Sequence, residues 1–395
     1  MLRRRVLSRR AAGAGALMVV VLTACGSTTG STSVPTPASS GAQGSGNAQI
    51  DAAVAKHYKG TLRQPDGTAR PAAKGKKIVV ISVGQASISS SIPSNAAAEA
   101  AKAIGWQVTI YDAQLNPSLS VGLVRQAVNS GADGIILDAI DCPLAKSALQ
   151  EAKARGIKVV PIYAYDCNDP AFKATADPPL FNGIINYGPD AAKDIDQYTK
   201  DAGAASADAV IYATHGKAKV IAFNDPEITV LNYTAQGFLD EIAKCGGCQV
   251  VDKVDFTGAE LGPALQQKVS TALLQHPEAN AVKSPFTAAS LLGISPAVVQ
   301  AGRTAGIYVM GGEGFQPELD LLRNDHGINA VNLTPSDWTG WAAVDTLNSF
   351  FIGQQPVDSG LGQVLVDKNH NLPASGPYVP SIDFKAAYKK AWQVG

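Results

Sequence analysis

Of the short motifs that announce chemistry, this 395-residue chain carries few. No Gly-x-Ser-x-Gly elbow presents a nucleophilic serine, and no His-Glu-x-x-His pair offers zinc ligands. A phosphate loop ending in Gly-Lys-Ser/Thr is missing, as is a Gly-x-Gly-x-x-Gly turn after the first strand. His215-Gly216-Lys217 has the wrong flanks for such a loop and reads as surface. The histidines (His57, His215, His276, His326 and His370) show no compact ligand spacing, so neither a metal nor a cofactor is expected. Charge of one sign is lacking too. With 33 basic and 33 acidic residues the formal charge is +0, which asks for no nucleic acid partner. Aromatics make up only 6%, so an aromatic in a loop carries more information than usual. Beyond the N-terminal region no stretch is long and apolar enough to span a bilayer.

What is present begins with a leader. Arg3, Arg4, Arg5, Arg9 and Arg10 form a basic region, followed over 14–22 by an apolar run too short to span as a mature helix. The run ends in Leu-Thr-Ala-Cys, which resembles a bacterial lipobox. That implies a signal peptide over 1–24 and a diacylated Cys25 as the new N-terminus. Ser, Thr, Gly and Pro without apolar periodicity make 25–48 a flexible tether. An anchored tether predicts an extracytoplasmic location, on the outer face of the plasma membrane. Four cysteines remain, an even number that in an exported protein favours disulfides over a metal site. Cys142 and Cys167 follow two successive predicted strands, and a bridge between those loops is expected. Cys245 and Cys248 stand in Cys-Gly-Gly-Cys, a spacing shared with redox centres. A redox pair wants a helix N-terminus, whereas this one follows a helix and precedes a strand, so a structural bridge is the expectation.

The rest is long enough, and at 46% hydrophobic apolar enough, for two domains with cores. Predicted strands at 78–83, 107–111, 134–137 and 158–163 alternate with helices at 96–104, 119–130 and 144–155. Another strand is expected over 182–187. The pattern then repeats, with helices at 190–202, 230–244, 262–275, 288–303 and 318–324 among strands at 219–224, 249–255, 280–284, 307–312 and 328–333. A long helix over 338–352, a strand over 364–368 and a helix over 384–392 close the chain. This alternation predicts an α/β fold of two Rossmann-like lobes with parallel sheets. In such sheets ligands sit outside the carboxyl ends of the strands, so the cleft between lobes is the expected site.

The ordered strand endings have a family look. They run Ile-Ser-Val-Gly-Gln at 81–85, Gln-Val-Thr-Ile-Tyr-Asp from 107, Lys-Val-Ile-Ala-Phe-Asn-Asp from 219 and Gly-Gly-Glu-Gly-Phe from 311. Together with the stretch 124–137 they resemble the type I periplasmic sugar-binding family, the ribose- and galactose-binding-like lipoproteins of ABC importers, over 76–392. The resemblance implies a three-segment hinge, with crossings near 187–189, 333–335 and 354–361. The expected division is then a first lobe over 49–188 and 335–353 and a second lobe with tail over 189–334 and 362–395. It also implies a monomer, without catalysis, that binds a small neutral sugar or polyol and delivers it to the permease subunits. Sensing for a membrane receptor is the alternative use, and an amino or cationic compound the alternative ligand.

Sugars are recognised by aromatic faces and by rigidly held polar groups. The strand ends offer Gln85, Ser87 and Ser89, then Asp138 and Asp141, then Tyr163, Tyr165 and Asp166. The second half offers Asn224, Asp225, Ser284, Phe286, Glu313 and Phe315, with Trp338 after the last strand. Glu313, set between glycines, is the central candidate. Tyr163 and Tyr165 alternate along an extended run, so one of the two is expected at the ligand. Trp338 and Trp341 lie three apart on a helix and are expected to divide between core and cleft. Arg125, Arg155, Arg303 and Arg323 all fall in predicted helices, so the strand ends read as acidic or neutral and disfavour a sugar acid or phosphate.

Overall fold

The computed structural model describes residues 47–173, 177–188 and 195–395. The expected leader, Cys25 and the tether up to 46 lie outside the described residues, as does the expected helix start at 190. Helix α1 (Ala48–Lys59) opens on Asn47, whose side chain accepts the Gln49 N–H. After a connector over 60–75 come β1 (Lys77–Ser82), α2 (Ile88–Ala103), β2 (Gln107–Asp112) and α3 (Ser120–Asn129). Next are β3 (Gly134–Asp138), α4 (Cys142–Ala154) and β4 (Lys158–Ile162). These strands form a parallel sheet in the order β2-β1-β3-β4. Alternate residues of β1 serve opposite faces: Ile78 and Val80 join one core cluster, Val79 and Ile81 another.

The second sheet follows α5 (Ile195–Ala213). It is built from β5 (Lys219–Asn224), α6 (Thr229–Lys244), β6 (Gln249–Asp255), α7 (Pro263–Gln275) and β7 (Ala281–Lys283). Helix α8 (Thr287–Ala289) passes through a π-helical turn at Ser290–Ile294 into α9 (Ser295–Gln300). Then come β8 (Tyr308–Met310), α10 (Gln316–Arg323), β9 (Ala330–Leu333), α11 (Ser336–Phe351), β10 (Val364–Asp367) and α12 (Phe384–Trp392). The sheet order is β10-β9-β8-β7-β5-β6, with β10 antiparallel to β9.

Three expectations need correction. The serine-rich stretch after β1 is helical from Ile88, eight residues before the predicted start, because its hydroxyls do not outcompete the helix ladder. The strand expected over 182–187 is a single bridge, Asn186 to Asp358. The terminal helices also exchange lobes. Helix α1 packs on α5 and β10, with His57 Nε2 2.8 Å from the Asp208 carboxylate and the Tyr58 ring stacked 3.9 Å from His370, so it sits on the second sheet. Helix α12 instead buries Phe384, Tyr388 and Trp392 in the first-lobe core, where Trp392 stacks 5.4 Å from Trp341.

Helix α11 packs on α2 and β4. A Cβ at Gly340 would stand 2.4 Å from the Pro93 carbonyl oxygen, so only glycine allows that approach. Around the crossings the connector runs beside the segment after α11. The Thr61, Arg63 and Asp66 N–H groups donate to the carbonyls of Gln363, Gly360 and Asp358. Arg63 holds the Asp358 carboxylate at 3.0 Å and the Tyr187 carbonyl at 2.9 Å.

Both expected disulfides are present, Cys142–Cys167 and Cys245–Cys248. Cys142, Asp166 and Cys167 lie within metal-ligand range of one another, but the bridge consumes both sulfurs. Cys142–Cys167 spans 25 residues and is buried at both ends. Its removal by a double serine substitution is expected to lower stability by about 2–4 kcal/mol, through a less restricted unfolded chain. The Cys245–Cys248 bridge spans 3 residues and should matter less. Denaturant unfolding of the two variants checks the order; equal losses would contradict it.

Candidate functional site

The carboxyl ends of both sheets converge. After β1, the Gln85 N–H donates to Asp112 Oδ1 at 3.0 Å, and Ser87 stands at the N-cap position of α2 with its hydroxyl not capping the helix. Gln85 Nε2 and Ser89 Oγ are buried with no hydrogen-bond partner among the described residues. At the end of β3, Asp138 is fully buried and accepts from Ser94 Oγ at 2.6 Å, while its Oδ1 has no partner among the described residues. Burial pushes the Asp138 carboxyl up to about 8, against the pull of Ser94. Tyr163 follows β4 at φ 51°, a left-handed conformation that a tyrosine seldom adopts. Its hydroxyl lies 3.2 Å from Ser336 Oγ and 3.0 Å from Thr339 Oγ1, at the start of α11.

From the second sheet, Asp225 is buried, accepts the Glu227 N–H at 3.1 Å and is pushed up to about 6, mainly by burial. Glu313 is paired reciprocally with Thr287. The Thr287 N–H donates to the carboxylate at 2.5 Å, and the Glu313 N–H donates to Thr287 Oγ1 at 3.1 Å. Burial raises the Glu313 carboxyl, and neighbouring Glu318 adds to the effect against the Thr287 N–H. Glu318 itself braces the loop: it accepts from Thr287 Oγ1 at 2.6 Å and from the N–H groups of Gly312 and Gly314 at 2.8 and 3.0 Å.

Two adjoining cavities lie between the lobes, of about 60 and 100 Å³, and share Tyr163, Val230, Leu231 and Glu313. The smaller is also lined by Ser87, Ser89, Asp138, Asp225 and Phe286. Seven of the sequence candidates are thus brought together. The lobes are drawn onto one another by Thr229 Oγ1, which donates to Asp141 at 2.6 Å, and by the Tyr233 hydroxyl, which donates to Asp169 at 2.6 Å.

The other candidates are placed elsewhere. Asp141 spends its carboxylate on Thr229 and on the Tyr165 N–H at 2.9 Å, joining lobes and not lining the cavities. Asp166 accepts from the N–H groups of Cys167, Leu180 and Phe181 and so braces its own loop. Tyr165 is the buried member of its pair, 3.3 Å from Thr199 Oγ1 and packed on Tyr233. Ser284 Oγ donates to the Phe286 carbonyl at 3.1 Å and accepts from Ser290, a turn-fixing role. Asn224 donates to Asn232 at 2.9 Å and lines a separate cavity beside Phe238; Gln85 lines neither inner cavity. Phe315 lines an outer groove that it shares with Glu313. Trp338 is fully buried in the core, stacked 4.7 Å from Phe384, with its indole N–H on the Ser359 carbonyl at 2.9 Å. Trp341 is buried as well, so the expected division of the two tryptophans fails because α12 covers the far side of α11.

Sequence reasoning missed a cation. Lys283 ends β7, is buried, lines the larger inner cavity and donates to the carbonyls of Ser284 and Gly311. Burial lowers its ammonium to about 8, while Glu318 and Glu313 pull it back up. The strand ends are therefore not only acidic or neutral. The two nearby carboxylates offset this charge, so it does not make the cavity an anion site. A lysine closing an apolar strand directly before Ser-Pro was the signal available in the sequence.

The Periplasmic binding protein domain family matches residues 78–355. The chain belongs to the periplasmic binding protein family. No curated protein matches it. Among solved structures it is similar to an ABC transporter solute-binding protein from Burkholderia graminis in complex with D-arabinose, with 20% identity, TM-score 0.63 and coverage of 77% of this chain and 99% of that one. It is similar also to GanP, a glucose-galactose binding protein from Geobacillus stearothermophilus, at 20% identity and TM-score 0.62, covering 75% and 99%. A third is the 5-methylthioribose transporter solute-binding protein from Thermotoga lettingae, at 18% identity and TM-score 0.62, covering 80% and 98%. At these identities the likeness is one of fold: two α/β lobes, as expected. Periplasmic binding proteins are binding proteins and not enzymes, in keeping with the expectation of binding without catalysis. Among the described residues no helix is long and apolar enough to cross a membrane.

Proposed function

We propose that this periplasmic binding protein is the extracytoplasmic solute-binding lipoprotein of an ABC importer, and that it carries a small neutral sugar or polyol to the permease. The observation that carries the ligand class is the unpartnered Oδ1 of fully buried Asp138, set in a cavity shared with Ser89, Tyr163, Asp225 and Glu313. Buried polar atoms without partners are rare, and a ligand hydroxyl satisfies one directly. The ligands of the three similar proteins, D-arabinose, glucose or galactose, and 5-methylthioribose, support the same class. Anchoring through Cys25 rests on the Leu-Thr-Ala-Cys sequence. The excess of carboxyls around the cavity favours an amine-bearing ligand as the second reading.

A melting-shift and calorimetry panel of neutral sugars, polyols, amines and amino acids separates these readings. Response to amines with silence across sugars would replace the ligand class. In the same assay Glu313→Ala is expected to weaken binding by about 10–100-fold, the worth of one charge-assisted hydrogen bond, without loss of fold. Unaltered affinity would remove Glu313 from the site.

A further inference from the structure

Beyond the inner cavities lies a much larger groove, of about 730 Å³. One wall is first-lobe helix α2, where Ile88 and Ile92 lie four apart and so share a face. The opposite wall is second-lobe Phe315, and the roof is Tyr378 in the segment between β10 and α12. That segment is fixed from beneath: the Arg323 guanidinium donates to the Pro373 carbonyl at 2.9 Å and to that of Gly376. Ile88, Ile92 and Tyr378 all remain partly exposed toward the groove. Apolar surface facing a concave space of this size is typical of a small-molecule site.

The groove joins the inner cavities. Glu313 lines all three spaces, and Thr334 lines both the groove and the larger inner cavity. Ser336, on the groove side, is bonded to Tyr163, on the inner side. The inner side carries Asp138, Asp225 and Glu313, and the groove adds an extended apolar surface from Ile88, Ile92, Phe315 and Tyr378. Of the groove's other charged side chains, Asp337 already accepts the Trp338 N–H at 2.9 Å, Asp383 accepts the Ala386 N–H at 2.9 Å, and Lys385 donates to Glu99 at 2.8 Å.

We propose that the groove is the outer compartment of the ligand site and takes the apolar aglycone of a glycoside whose sugar ring occupies the inner cavities. This rests on the sugar reading and narrows it. The inner cavities, about 60 and 100 Å³, suit one ring at most, so a larger ligand must pass Glu313 into the groove.

The test is calorimetry on the full chain with D-glucose, D-galactose and D-arabinose, each beside its phenyl glycoside. A bound phenyl ring should tighten binding by about tenfold or more. Ile92→Trp, which fills the groove, and Tyr378→Ala, which removes its roof, should each bring the glycoside-to-sugar affinity ratio toward one. Free sugars binding as well as their glycosides, or a ratio unmoved by both variants, would overturn the aglycone site while leaving the sugar reading intact. Binding of neither sugars nor glycosides would overturn both.

Discussion

Asp138→Asn is expected to flatten the pH dependence of stability between about pH 4 and pH 8. The folded-state carboxyl is raised from 3.8 to about 8 because it is fully buried and Ser94 alone compensates. Over that window the native protein holds a proton that the unfolded chain gives up, so stability falls as pH rises and levels off above about 8. At pH 7 the loss relative to acid is on the order of 4 kcal/mol, since each pH unit crossed inside the window costs about 1.4 kcal/mol. Asparagine keeps an acceptor for Ser94 and cannot ionise, so the variant should lose this slope. It should also lose ligand affinity, because the amide no longer offers a charged acceptor to a hydroxyl. Denaturant unfolding at pH 5, 6, 7 and 8 checks the first part, and parallel curves for the two proteins would refute the buried-acid account. A ligand hydroxyl on Oδ1 supplies the missing partner and favours the charged form, so bound ligand should reduce the slope in the natural protein too.

What could be read from the sequence were features set by local pattern. The β-branched runs ending at Ser82, Asp138 and Asn224 announce strands whichever helix covers them; the Cys142–Cys167 bridge follows from the ends of β3 and β4, and the Cys245–Cys248 bridge from its place in the turn between α6 and β6. Side-chain destinations depended on distant packing. Trp338 and Trp341 look amphipathic in isolation, yet both are core because α12 and the connector close over α11. Asp138 and Asp166 are alike as letters after strands. One meets an enclosed space and the other three main-chain N–H groups, a difference made by the fold of the loop at 177–181. Lys283 was hidden by its short strand, since Ala281 and Val282 alone give little periodicity to read. Helix α1 followed the same logic: its one fully apolar buried contact, Val54, finds a partner only in the second lobe.

The largest loss of stability is expected from Arg70→Ala. Arg70 is fully buried at the end of the connector. Its Nε donates to Asp345 at 3.0 Å, and its two amino groups donate to the carbonyls of Thr68 and Asp66 at 2.6 and 3.1 Å. Asp345, on α11, also accepts the Trp392 indole N–H at 2.7 Å, so one ion pair ties the connector, α11 and α12 together. Burial raises the Asp345 carboxyl, and Arg70 is the main influence against it, with the Trp392 indole N–H adding to it. Removing Arg70 leaves a buried carboxyl without its cation, a change that costs about 3–5 kcal/mol. The pair need not be a net stabiliser for this to hold, because the penalty lies in stranding one partner. A double variant, Arg70→Met with Asp345→Leu, should therefore be less destabilised than Arg70→Ala alone, and a double loss equal to the sum of the singles would argue against coupling. Ligand affinity per folded molecule should be unchanged, since Asp345 lies nine residues along α11 from Ser336, about 13 Å at 1.5 Å per residue. If affinity falls with stability, the connector transmits to the cleft through Arg63 and Asp358, the ion pair that sits at the crossings.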